Sequence, residues 1–481
     1  MHFSMIARIL GMLMMVFSFT MLVPVGVSWW FNDQNYAPFF MSFGISLLLG
    51  MAVWLPFMRA RAELQTRDGF LVVTLFWTVL SLIGALPIYM TLDISFTDAA
   101  FESISGLTTT GASVLTGLDS MPKSLLYYRQ QLHWLGGMGV IVLAVAILPM
   151  LGVGGMQLYR AEIPGPMKEA KLTPRIAETA KALWYVYLGI TVLCAGAYHL
   201  AGMDWFDAIC HSFTTVATGG FSTHDASMAY FDSMTIDFIA AFFMILSGAS
   251  FALIYASWRR RNVAVFFLDP EFRFYFGLMF LLTTVVAVGL WVYRIDDSPL
   301  EVLRQAVFHV VSFTTGTGLT STSPAEWPSY MPYLLMLASF VGGCAGSTAG
   351  GMKVVRTALI FQHGLRELRQ LIYPHGVFAL RFGRRAVNDS VLQAVWGFVG
   401  VYIMLAVLLT LMLTATGMEL TTATSTVAAS LNNLGVGIAG VASGFGHIGD
   451  TAKWIMSAAM LLGRLEVFTI LVLFTRMFWR Q

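Results

Sequence analysis

A run of about 20 apolar residues can be hidden in only two places, the core of a large protein or a lipid bilayer. This chain carries ten such runs, near residues 6–30, 38–58, 69–91, 127–151, 181–203, 234–257, 274–294, 330–360, 391–416 and 453–477. Charged residues make up only 11% of the sequence and hydrophobic ones 57%, against roughly 25% charged in a soluble domain. The chain therefore reads as an all-α integral membrane protein with the bilayer as its first partner. A net charge of +2 gives no basis for a nucleic-acid partner. Cys194, Cys210 and Cys344 form no CxxC pair and no metal-ligand spacing, so they read as small buried hydrophobes. The first apolar run passes Trp29 and Trp30 without a small-residue cleavage site, which predicts a retained helix.

Between the spans lie four shorter apolar segments, near 97–109, 204–216, 300–314 and 420–433. They are too short to cross and suit re-entrant helices. With the N-terminus in the cytoplasm, most basic residues fall on the inner side: Arg59, Arg61, Arg67, Arg160, Lys168, Lys171, Arg175, Arg259 to Arg261 and the Lys353–Arg385 cluster. This is the positive-inside pattern. All four short segments then lie outside, each beginning near an acid: Asp98, Asp204 and Asp207, Glu301, and Glu419. Such acids cap helices and complement their dipoles. Asp204, Asp207, Asp296 and Asp297 either concentrate cations at an outer mouth or are solvated caps.

The short segments resemble one another. DAAFES (Asp98–Ser103) matches DAICHS (Asp207–Ser212), and SFTT occurs at Ser212–Thr215 and Ser312–Thr315. Each is followed by a glycine turn: TTTG to Gly111, VATG to Gly219, TGTG to Gly318 and LGVG to Gly437. Such self-similarity defines an architecture: two N-terminal helices (1–66), then helix–pore-helix–filter–helix repeats over 67–160, 161–262, 263–385 and 386–481, around one central pore. Short helices pointing inward turn their negative C-terminal ends to the axis, which favours a cation. Glycine lets the next backbone adopt positive φ and aim carbonyls inward, replacing the hydration shell of a monovalent ion. The candidate filter residues are Thr110, Gly111, Thr218, Gly219, Thr317, Gly318, Val436 and Gly437. Close helix packing explains one such turn, but not four at matching positions.

Two further features interrupt the apolar pattern. The stretch GGCAGSTAGGMK, Gly342 to Lys353, breaks the eighth span with Gly342, Gly343, Gly346, Gly350 and Gly351 around Ser347 and Thr348. It lacks the GxxxxGK[ST] order of a phosphate-binding loop, and it reads either as a packing kink or as a functional loop. Arg464 sits mid-way along the last span, too deep for easy snorkelling, with Glu466 turned to another face. It reads either as a structural arginine bonded to carbonyls or as a functional charge. Lys353 reads as a cytoplasmic anchor, and His211 and His309 as packing or capping residues. No HExxH, nucleophile elbow or intact Walker motif is present, so neither covalent chemistry nor nucleotide binding by this chain is expected.

At its glycine turns the chain resembles the TrkH/KtrB family of bacterial potassium uptake proteins, and its length and leading helix pair resemble the TrkH branch. Asn432, Asn433 and Val436 depart from the threonines of the other turns. The resemblance implies potassium as the transported ion, an inner-membrane location, a homodimer, and a cytosolic nucleotide-binding regulatory ring of TrkA type. It also implies that Gly342 to Gly351 close the pore beneath the filter, with Arg464 beside them as an electrostatic barrier. A secondary transporter of an organic solute, with broken helices at the midplane, accounts for the glycine-rich stretch but not for four like-oriented turns.

Overall fold

The computed structural model of the chain describes residues 1–60, 65–142, 176–296, 298–328, 330–383 and 385–480. The end of the expected fourth span, the basic segment holding Arg160, Lys168, Lys171 and Arg175, and the positions Arg61 and Asp297 lie outside the described residues. Apart from a small hairpin, in which Arg381 pairs with Ala386 and Phe382 with Arg385, the regular structure described is helical.

The chain opens with α1 (Phe3–Thr20), α2 (Leu22–Phe31) and α3 (Tyr36–Trp54). A recurring pattern follows: a long helix, a short one, then a third. It runs α4 (Thr66–Thr91), α5 (Phe96–Leu107), α6 (Lys123–Val142), then α7 (Ile176–Leu200), α8 (Trp205–Ala217), α9 (Met234–Ser247) with α10 (Phe251–Arg260). Next come α11 (Pro270–Val292), α12 (Pro299–Thr315), α13 (Tyr330–Val341) and α14 (Val354–Ile372). The chain finishes with α15 (Asp389–Ala415), α16 (Leu420–Leu431), α17 (Asp450–Arg464) and α18 (Phe468–Leu471). The short helices α5, α8, α12 and α16 occupy the four expected re-entrant segments.

Their starts follow local capping chemistry. Asp204 caps α8 by accepting from the Asp207 amide at 2.7 Å. At α5 the cap is instead Ser95, which accepts from the Asp98 amide at 3.1 Å, and Asp98 sits in the first turn. Glu301 likewise lies in the first turn of α12, while Glu419 stands at the N-cap of α16 without a side-chain cap bond. These last two acids act on the helix dipole, not as hydrogen-bonding caps.

Polarity is distributed as a bilayer requires. Leu48, Val192, Phe280 and Met404 are each more than half exposed on the flanks of long helices, whereas Thr108, Ser212, Thr314 and Asn432 are fully buried. An apolar exterior around a hydroxyl-rich interior suits a protein that lipid surrounds and a polar path threads.

Among the described residues six helices are long and apolar enough to cross a membrane, or eight if two bent pairs each count as one span. The other two of the ten expected spans are α6, which buries Arg129, Gln130 and His133, and α13, which stops after 12 residues at the glycine-rich stretch. Two of the expected spans, 234–257 and 453–477, are each bent. Between α9 and α10 the chain turns by 98°, and between α17 and α18 by 105°. Arg464 is therefore the last residue of a helix, followed by Glu466 and Val467 at φ of 55° and 53°, and is not mid-helix.

Candidate functional site

Each short helix ends in a turn of the same geometry. The amides of Thr110, Gly219, Thr317 and Leu434 bond back to the carbonyls of Ser105, Thr214, Ser312 and Ala429 at 2.8, 2.8, 2.8 and 2.9 Å. The residue before each of these is left-handed: Thr109, Thr218, Gly316 and Asn433, with φ of 53°, 53°, 71° and 52°. The residue after each is a left-handed glycine: Gly111, Gly220, Gly318 and Gly435, with φ of 83°, 91°, 74° and 77°. Alternation of left-handed and ordinary residues turns successive carbonyls to the same side of a strand, which forms a polar edge.

The four turns close into a ring. A Cβ placed on Gly111 would fall on the carbonyl oxygen of Gly219, and one on Gly220 would fall on that of Thr317. Gly318 meets the carbonyl of Leu434 in the same way, and Gly435 that of Thr110. No side chain fits at any of these positions, so a left-handed glycine is required sterically as well as conformationally. Thr108 and Thr110 share a hydroxyl bond of 2.8 Å, matched by Thr315 and Thr317 at 2.7 Å. Asn433 closes the last join by donating to Thr110 Oγ1 at 2.9 Å.

On one side of the ring lies an open cavity of about 690 Å³, lined by all four ring glycines and by Ser222 and Thr320. Asp225 is the acid that lines it; Asp204, Asp207 and Asp296 do not. Asp207 instead accepts from Thr223 Oγ1 at 2.7 Å and faces His224 Nε2 at 3.1 Å. The other ring nitrogen of His224 meets Asp119 at 2.5 Å. Burial alone would lower the His224 pKa, but its bonds to Asp207 and Asp119 outweigh burial and hold it above the usual value. This tie is thus complete below the ordinary histidine pKa and is lost as pH rises through the raised one.

On the other side lies the glycine-rich stretch, with Gly342, Gly346 and Gly351 left-handed at φ of 73°, 73° and 75°. Thr348 Oγ1 donates to the Val216 carbonyl in the last turn of α8 at 3.0 Å, and the Gly351 amide donates to the Asn432 carbonyl at 3.2 Å. The stretch thus packs against the C-terminal ends of α8 and α16. Its backbone also completes the break between α9 and α10: the Cys344 amide donates to Gly248 at 2.8 Å, and the Gly346 carbonyl accepts from Phe251 at 3.1 Å. Buried peptide groups freed by two irregular segments satisfy each other. Arg464 Nη1 donates to the Thr348 carbonyl at 2.8 Å, and Nη2 reaches the Gly136 carbonyl at 3.4 Å. Lys353, expected as an anchor, is buried and turns back to donate to Ala349 at 2.6 Å. Glu466 pairs with Arg356 at 2.9 Å.

The family model described as "TrkH: Cation transport protein" matches residues 36–481. The chain is 53% identical over 483 residues to the Trk system potassium uptake protein TrkH of Halomonas elongata, and 50% identical to that of Escherichia coli K12, each match covering 100% of both chains. Its fold superposes on the crystal structure of the potassium transporter TrkH from Vibrio parahaemolyticus with a TM-score of 0.93, at 49% identity and full coverage of both chains. The chain belongs to the TrkH cation transport family.

Two positions in this TrkH-family ring differ from the sequence expectation. Gly219 occupies the place of Thr110 and Thr317, and the left-handed glycine is Gly220. Gly437 lies beyond Gly435 outside the left-handed region, and the nearest obstacle to a Cβ there is Val441 of the same strand, not a neighbouring turn. Asn432 and Asn433 stand where the third turn has Thr315 and Gly316. The signal that misled is the Thr-Gly ending, which sets Thr218–Gly219 beside Thr110–Gly111 and Thr317–Gly318; DAAFES and DAICHS are in register with the turns and lead from Gly111 to Gly220.

Proposed function

We propose that this chain is the pore-forming subunit of a Trk-type potassium uptake system, and that the ring of four turns is its selectivity filter. The observation that carries the reading is that ring: four left-handed glycines, each packed on the carbonyl preceding its neighbour's glycine. The carbonyls of Thr110, Gly219, Thr317 and Leu434 stand in for the water shed by a monovalent cation. Four helix C-termini, each contributing roughly 0.3–1 kcal/mol toward a positive charge near its end, converge on the same place. Gly111, Gly220, Gly318 and Gly435 keep the path open because no Cβ intrudes.

In this reading Gly342 to Gly351 form a gate on the inner side, with Ser347 and Thr348 bonding freed backbone. Arg464 holds the gate through Thr348 and repels a partly dehydrated cation. The domain boundaries are those expected from the repeat, with a pair of leading helices over 1–66 and the N-terminus in the cytoplasm of a bacterial cell with the chain in its inner membrane. The partners are a second copy of the chain and a cytosolic nucleotide-binding regulator of TrkA type.

The test is potassium and rubidium uptake in cells stripped of their own potassium systems. Wild type should restore growth at low potassium, and Gly220→Ser should lower discrimination against sodium roughly tenfold, the equivalent of about 1.4 kcal/mol. An unchanged potassium-to-sodium ratio in Gly220→Ser, at normal expression, would remove the filter assignment.

A further inference from the structure

Beside the ring, with its arginine lining the open cavity, lies an ion pair that the transport reading leaves unused. Glu102 on α5 and Arg129 on α6 are 0% and 1% exposed. Arg129 Nε donates to Glu102 Oε1 at 2.8 Å, and Nη2 donates to the same oxygen at 2.5 Å and to Ser113 Oγ at 3.1 Å. The second carboxylate oxygen accepts from the Val114 amide at 3.1 Å and from Ser113 Oγ at 3.2 Å. Arg129 Nη1 then crosses to the next turn and donates to the Ser222 carbonyl at 3.3 Å, while its guanidinium lies 4.1 Å from the centre of the Phe221 ring.

Ser113 and Val114 leave the ring after Gly111, and Phe221 and Ser222 leave it after Gly220. The pair therefore binds two outgoing strands to each other and to the helices behind them. At the same offset before the ring glycine, the other short helices carry His211, His309 and Thr426. His211 Nε2 lies 3.0 Å from Ser222 Oγ, and His309 Nε2 lies 3.3 Å from the Thr322 carbonyl. In the fourth turn the neighbouring Ser425 accepts from the Ile438 amide at 2.6 Å. Every outgoing strand thus has a polar brace on its own short helix, and at the first turn the brace is charged and reaches the second.

We propose that Glu102 and Arg129 are positioning residues for ion selectivity, a strap that fixes the spacing between the first and second filter strands. The proposal rests on the filter reading above. Two buried charges are costly compared with a packed apolar pair, so stability alone is a poor reason for them. Two guanidinium N–H groups converging on one carboxylate oxygen fix distance and angle together, which single neutral bonds do not. Potassium and sodium differ in radius by a fraction of an ångström, so a strand that drifts outward or inward changes which ion its carbonyls fit.

The experiment is paired rubidium and sodium tracer uptake into proteoliposomes of the purified full chain, with Gly220→Ser alongside. The double variant E102Q/R129Q keeps the shape at position 102, replaces the guanidinium by a shorter neutral amide and leaves no unpaired buried charge. Its rubidium-to-sodium ratio should fall roughly fivefold, the equivalent of about 1 kcal/mol, with rubidium flux retained. Arg129→Lys keeps the charge but lacks the fork, and should shift the ratio the same way by less; it decides the question if the double variant does not fold. If Gly220→Ser changes the ratio and neither strap variant does, the strap is overturned while the filter stands. If Gly220→Ser leaves the ratio unchanged, the filter reading fails and the strap with it.

Discussion

At Gly219 a Cβ would run into the ring of His133, whereas at Gly220 it would run into the Thr317 carbonyl of the neighbouring turn. The first obstacle is a side chain, buried against Phe221 with ring centres 4.2 Å apart; the second is backbone. Gly220 also sits at φ 91°, where an L-residue costs about 1–2 kcal/mol before any clash. Gly219→Ala should therefore be rescued by His133→Ala, because the smaller partner makes room. Gly220→Ala should not be rescued by any change at His133. The measurement is potassium-to-sodium uptake in the two single and two double variants at equal expression. Equal rescue of both glycine variants would mean that the two positions do not differ as the geometry requires. The sequence shows two adjacent glycines but not which is left-handed, since that depends on hydrogen bonds back into α8. His133 and the Glu102–Arg129 pair were illegible for a related reason: their partners lie on other elements, and no local spacing brings them together.

At the scale of elements, apolar runs predicted the long helices, and apolar segments too short to cross, each beginning near an acid, predicted the short ones. The bends after Ser247 and Arg464 were not legible, because both pieces of each bent pair are apolar. What stops the helix is a tertiary partner, the glycine-rich stretch that takes up the freed backbone groups of α9 and α10. That stretch was legible as a break from its five glycines, but its seat against Val216 and Asn432 was not. Its mobility should set conduction. Removing several residues from Gly342–Gly351 should raise potassium flux and weaken dependence on the regulator. Arg464→Ala deletes a guanidinium–carbonyl bond worth roughly 1.5–3 kcal/mol together with a positive charge, so it should raise flux too, by a smaller amount. Both changes leave the ring glycines in place and should leave selectivity nearly constant. The measurement is tracer uptake into proteoliposomes without the regulator, normalised to inserted protein. Flux no greater than wild type in both folded variants would return the stretch and Arg464 to a packing role.

For the whole molecule, the strongest sequence evidence was that four short segments fall on one side of the membrane when basic loops are placed on the other. The ring needs that arrangement, since four turns entering from mixed sides could not converge with their helix C-termini together. Topology is therefore the test on which every other reading depends. The native cysteines Cys194, Cys210 and Cys344 are all buried, so a membrane-impermeant maleimide should find little background. Single cysteines at Asp225 and Ser443, both exposed beside the open cavity, should label from outside intact cells. Cysteines at Arg260 and Arg369, exposed at the basic ends of α10 and α14, should label only after the membrane is opened. The two outer sites belong to different repeats, and so do the two inner ones, so each pair must behave alike. If Asp225 and Arg260 labelled from the same side, α9 and α10 could not carry the chain inward from the second turn. The four turns would then not share a face, and the potassium path drawn through them would have to be abandoned.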